Sequence, residues 1–121
     1  MNLPSIEFAQ HDPLQDYYSD GMGNWYSVAR LIDAAKDFEP FEIPIAGIDL
    51  DFRIWKDCNM FGLASHVKRS INADLSKPII LDWNGSVADG RHRIIKALVN
   101  GDKTVKAVRL THAMTPDRVD D

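Results

Sequence analysis

Residues 77–110, KPIILDWNGSVADGRHRIIKALVNGDKTVKAVRL, fix the order of four elements through local signals alone. KPIILDW is a short apolar run bounded by turn residues, which reads as a strand. Asn84–Gly85 is the strongest short-range hairpin signal a sequence carries, and SVAD supplies the return strand. Asp89 and Gly90 then turn the chain into a helix, RHRIIKALVN, with Ile94, Ile95 and Leu98 as its buried stripe and Gly101 as its stop. KTVKAVRL reads as the last strand, with an imperfect alternation through Val105, Ala107 or Val108, and Leu110. A helix crossing from a hairpin to a further strand suits parallel pairing. The expected class is therefore α/β (α+β), a small mixed β-sheet flanked by helices.

Upstream the signals are weaker. Residues 1–23 hold Pro4, Pro13, Gly21 and Gly23 and no Lys or Arg, and read as an irregular arm. Its Ile6, Phe8, Leu14, Tyr17 and Tyr18 are free to pack. NWYSVARLIDAAKDF predicts a helix from an Asn24 cap, with Trp25, Val28, Ala29, Leu31, Ile32 and Ala35 near helical spacing and Pro40 beyond its end. FEIPIAGIDL predicts a strand, which Pro44 confines to an edge or a strand end. DFRIWKDCN is a polar and aromatic connector. MFGLASHVKRSINADL predicts a helix whose Leu63, Val67 and Ile71 share one face, with Lys68 and Arg69 pointing elsewhere. The chain is expected to be one domain: an arm and helix, 1–40, packed on a core of 41–121.

Charge is uneven along this chain of 121 residues. Residues 1–60 carry eleven acids and four bases, whereas residues 61–110 carry four acids and nine bases. A basic second half fits a phosphate-bearing partner as well as it fits an unevenly solvated surface. The single cysteine, Cys58, excludes an internal disulfide and a cysteine-built zinc site. No apolar run approaches the ~18 residues of a bilayer span, and the start MNLPSIEFAQHD lacks a signal-peptide pattern. A cytoplasmic protein with no membrane partner is the expectation.

One feature of the 77–110 segment is electrostatically out of place. Arg91, His92 and Arg93 put three potentially cationic side chains at a helix start, where each like charge costs ~0.3–1 kcal/mol. A strand feeding a Gly turn and a helix N-terminus is also a ready anion site. A bound phosphate would turn the same side chains into donors. The alternative is that Asp89 caps the helix, offsets one charge, and lets the arginine stems reach water.

These residues carry a family resemblance. FEIPIAGIDL, then LASHVKRSINADLSKPIIL, then GSVADGRHRIIKALVNGDKTVKAVRL, about residues 41–110, resemble the ParB/sulfiredoxin-like fold. The likeness is carried by the order of elements and by the turn Asp89, Gly90, Arg91, His92, Arg93 opening a helix. It implies a nucleoside phosphate as ligand, ATP or CTP with Mg²⁺, held by Asp89, Gly90, Arg91, His92 and Arg93, with Lys68 or Arg69 as further contacts. Arg91 stands where sulfiredoxins place their cysteine, which argues against sulfinic acid reduction. Family kinases draw an acid from the segment after the first strand, which makes Asp49 and Asp51 the catalytic candidates.

Other candidates divide between structure and chemistry. Asp82 is expected to be a hairpin residue; Asp49 and Asp51 otherwise belong to a strand-end turn. His11, His66, His92 and His112 show no metal spacing, and only His92 falls in the turn. Trp25, Trp55 and Trp83 suit packing, with Trp55 nearest the expected site, and Cys58 is expected to be inert. Three functions remain open: an NTPase or small-molecule kinase, a ParB-like DNA-binding protein or nuclease, and a non-catalytic module that senses a nucleotide or binds a small molecule or protein. Basic residues confined to one pocket favour the first and third. A stripe running over Lys68, Arg69, Lys103, Lys106 and Arg109 favours the second.

Overall fold

A computed structural model describes residues 2–52, 54–55 and 58–120 of the protein. The fold is α+β, with three α-helices and two sheets among the described residues. In chain order the elements are β1 (Tyr17–Ser19), β2 (Asn24–Ser27), α1 (Val28–Ala35), β3 (Phe41–Pro44), α2 (Met60–Ile71), β4 (Ile79–Leu81), β5 (Val87–Asp89), α3 (Arg91–Asn100), β6 (Thr104–Arg109) and β7 (Arg118–Val119).

The larger sheet has the order β3-β6-β4-β5 and is mixed. β4 and β5 pair antiparallel as a hairpin, α3 crosses over, and β6 returns parallel to β4 with Ile80 opposite Val108. β3 lies antiparallel at the edge with Pro44 as its last residue, where a missing N–H costs least. The hairpin loop is longer than two residues. Asp82 pairs with Ser86, the Gly85 amide donates to the Asp82 carbonyl, and Gly85 takes the positive φ of 83°.

Both faces of this sheet are covered, which explains the blurred alternation of the last strand. Ile80, Ala88, Val108 and Leu110 pack with Leu31 of α1 and with Tyr18 and Tyr26. On the other face Ile79, Leu81, Val105 and Ala107 pack with Ile94 and Ala97 of α3. The α3 stripe is thus Ile94 and Ala97; Leu98, expected to be inward, is exposed.

Three upstream expectations need correction. Residues 24–27 form a strand, so α1 begins at Val28 and not at an Asn24 cap. The arm is not wholly irregular, because β1 pairs with β2, and β7 adds to the far edge of β2. Finally, the Leu63–Val67–Ile71 face of α2 exists but lies exposed, and the side of α2 that turns inward carries Ser65, His66, Arg69 and Ser70.

The C-terminal segment fastens the smaller sheet. The Asp117 carboxylate accepts from the Ser27 amide at 2.7 Å and pairs with Arg30 at 2.8 Å. Ser27 makes no side-chain cap of its own, so α1 receives its N-terminal acceptor from ninety residues away. Trp25 Nε1 donates to Asp120 at 2.6 Å, and the Arg118 guanidinium lies over the Trp25 ring.

Candidate functional site

Gly90 sets the geometry of the α3 start. Its φ is 103°, and a Cβ there would stand 2.6 Å from Ile79 Cγ2 and 3.0 Å from Ile79 Cα. Only glycine suits both the left-handed turn and the close strand beneath it. Gly90 also occupies the N-cap position, and no side chain caps the helix. Asp89 is therefore not a cap. Its carboxylate stands 3.9 Å from Arg93, and burial pushes its proton affinity up.

The three cations at the helix start have different fates. His92 faces the His66 ring, Nε2 to Nδ1 at 2.9 Å, and its pKa is pushed down to about 4 by burial and then by Arg69. It is uncharged at neutral pH. Arg93 Nη1 donates to the Pro78 carbonyl at 3.1 Å and lies beside Asp89, so its charge is met within the fold. Arg91 keeps the misfit. Nη1 donates to the Ile54 carbonyl at 3.3 Å, the guanidinium lies over Phe52, and Nε is buried with no hydrogen-bond partner among the described residues.

Two adjoining cavities open above this turn. The larger, about 430 Å³, is lined by Asp89, Gly90, His92 and Arg93, by Lys68 and Arg69 of α2, and by Phe8, His11 and Asp16 of the arm. The smaller, about 250 Å³, shares Asp16, Arg69, Asp89, Gly90 and His92 and adds Arg91, Trp55, His66, Tyr17 and Tyr18. Trp55 stacks on His66 with ring centroids 3.6 Å apart, and His66 stacks in turn near His92. Burial and Arg69 also lower the His66 proton affinity. The cleft therefore offers three arginines, a lysine, free helix amides, a neutral aromatic and imidazole wall, and three carboxylates, those of Asp16, Asp74 and Asp89.

The structure thus gathers Lys68, Arg69, Asp89, Gly90, Arg91, His92 and Arg93 at one place. It does not bring Asp49 and Asp51 there. Both lie exposed after β3, with the Asp51 amide donating to the Asp49 side chain at 3.0 Å, and neither lines the described cavities. Asp82 is a hairpin residue, as expected, and a deeply buried one. It accepts from Tyr18 Oη at 2.7 Å and from the Asn84 and Ser86 amides at 2.9 Å. Cys58 is exposed.

Asp16, His11, Phe8 and His66 are cleft residues that the sequence did not mark. His66 was legible only as a polar residue on the side of α2 away from its apolar stripe. The arm residues bear no local signal, since nothing in residues 8–16 shows that this segment crosses the start of a helix eighty positions later. No helix of the described residues is long and apolar enough to cross a membrane. No group of three or more metal-ligating side chains is assembled among them. No family model, curated protein or solved structure matches the chain.

Proposed function

We propose that the domain binds a nucleoside phosphate, its phosphate oxygens at the start of α3. The observation that carries the reading is Arg91, a half-buried cation beside an uncapped helix start, whose buried Nε has no hydrogen-bond partner among the described residues. A buried donor left unsatisfied costs ~1–3 kcal/mol, and an anion in the smaller cavity would meet both it and the free amides. From α2, Arg69 lines both cavities and Lys68 the larger one. The resemblance of the Asp-Gly-Arg-His-Arg turn to ParB/sulfiredoxin-like domains supports the same ligand class, ATP or CTP.

The carboxylates of Asp16 and Asp89 make a bare anion a poor fit and a magnesium nucleotide a better one. Mg²⁺ takes one or two carboxylates and completes its shell with phosphate oxygens and water. Asp16 raises the Asp89 proton affinity electrostatically, as neighbouring acids do, and a divalent ion would relieve that repulsion. The reactions such a site accommodates are NTP hydrolysis and phosphoryl transfer to a small molecule; nucleotide sensing needs only the binding. Asp49 and Asp51 have no part in this reading.

The nucleic-acid alternative fares less well. Lys103, Lys106 and Arg109 do not line the cleft, and Arg109 donates to the Trp83 carbonyl at the hairpin. The cations at the start of α3 line the same cleft as Asp16 and Asp89.

Thermal unfolding with ATP, CTP, GTP and ADP, each with and without Mg²⁺, tests the proposal. Saturation at ~100 Kd adds ~2.7 kcal/mol, a midpoint rise on the order of 5–15 °C at this size. Arg91→Ala should lose most of the rise. A flat response of the wild-type protein to all four nucleotides refutes the reading.

A further inference from the structure

α2 is turned inside out relative to its sequence. Met60, Leu63, Ala64, Val67 and Ile71 fall within about 100° of one another on a helical wheel, a complete apolar stripe. All five are exposed, the four large ones at 88, 52, 49 and 66 %. The opposite side faces the cleft with Ser65, His66 and Arg69, and the buried Ser70 hydroxyl donates back to the His66 carbonyl at 2.8 Å. The polar side of the helix is used inside the protomer, and the apolar side is left for something outside it.

We propose that the stripe is the contact surface of a symmetric dimer, two copies packing α2 against α2 antiparallel. A twofold axis between positions 65 and 66 matches four of the five stripe residues to one another. Met60 of one copy meets Ile71 of the other, and Ala64 meets Val67. Leu63 meets the methylene stem of Lys68, whose ammonium lies over the Phe8 ring at the edge of the cleft, 5.3 Å from its centre. Such self-complementarity is what an isologous interface requires, residue i on j and j on i. The small side chain of Ala64, next to the axis, lets the helices approach.

Charge selects the same orientation. Lys68 and Arg69 are the charged residues of α2, both in its last turn. A parallel pair would set Lys68 beside Lys68, whereas the antiparallel pair puts them at opposite ends. The exposed parts of the stripe, with Phe61 beside it, come to roughly three quarters of the ~800 Å² that each partner gives to a stable interface. The surfaces flanking the two helices supply the rest.

Sedimentation velocity or light scattering across ~1–200 µM, a range set by ordinary interface affinities, is the test. The wild-type protein should run as a dimer at the upper end, with mass falling on dilution. Val67→Glu should be monomeric throughout, with unchanged circular dichroism, because the position is exposed in the protomer. A second variant, Ala64→Cys/Val67→Cys in a Cys58→Ser background, should form a covalent dimer under mild oxidation. A wild-type monomer at every concentration overturns the proposal. So does a dimer that Val67→Glu leaves intact, which would place the contact elsewhere.

Discussion

Gly90→Ala isolates the constraint on which the cleft is built. Two costs are involved. An L-residue held at φ 103° lies outside the left-handed well and costs ~1–2 kcal/mol. The new methyl would also stand 2.6 and 2.9 Å from side-chain atoms of Ile79 and 3.0 Å from its Cα. Ile79 is fully buried in β4, between β5 and β6, so neither its side chain nor its backbone has room to retreat. Overpacking of that kind costs ~1–3 kcal/mol, giving a total of ~2–5 kcal/mol. Gly101→Ala is the control. Gly101 has a φ of 77° and nothing within 4 Å of the added Cβ, so only the backbone cost of ~1–2 kcal/mol applies. Urea denaturation of both variants, with m-values compared, reads the difference directly. Gly90→Ala should be the less stable by ~1–3 kcal/mol, the overpacking part alone. Equal losses in the two variants, or a loss below ~1 kcal/mol at Gly90, would show that β4 does not press on the turn.

Asp82→Ala should cost ~3 kcal/mol or more in urea, because it strips buried hydrogen bonds from the Tyr18 hydroxyl and from two hairpin amides, whereas Tyr18→Phe should cost only ~1–2 kcal/mol; equal effects would mean the hairpin amides do not depend on the carboxylate. For His92, a folded pKa of about 4 against ~6.5 in the unfolded chain means the unfolded state binds the extra proton between those values. Its contribution to stability is therefore complete above ~6.5 and is lost as pH falls toward 4. Asp89, with raised proton affinity, works in the opposite sense, losing stability as pH rises through its folded value. Proton NMR of the His92 ring separates the two: a titration midpoint near 4 is expected, and one near the ordinary ~6.5 rules out a buried neutral imidazole.

The sequence by itself determined the elements of residues 77–110, and the reason is locality. Asn84–Gly85 and Gly101 impose backbone conformations, and apolar periodicity separates the helix 91–100 from the strands around it. Those same signals put a glycine turn before α3 and so located the centre of the candidate cleft. Local signals misled at Trp25 and Tyr26, where helical spacing ran back from α1 into a strand held by partners at Tyr18 and Arg118. A three-residue and a two-residue strand have no pattern of their own; β1 is made a strand by its hairpin partner β2, and β7 by pairing with β2 across nearly a hundred residues. Periodicity likewise found the apolar stripe of α2 but not its direction, because a moment says which side is apolar and not which side meets the core. The charges at 91–93 were visible, yet only tertiary contacts decided that burial neutralises His92 and that Asp89 answers Arg93. Of the three, only Arg91 kept a buried donor, Nε, without a partner among the described residues. The arm closed the site in the same way: Asp16, His11 and Phe8 reach α3 through a long loop of chain, a closure that depends on packing the whole domain and leaves no trace in neighbouring residues.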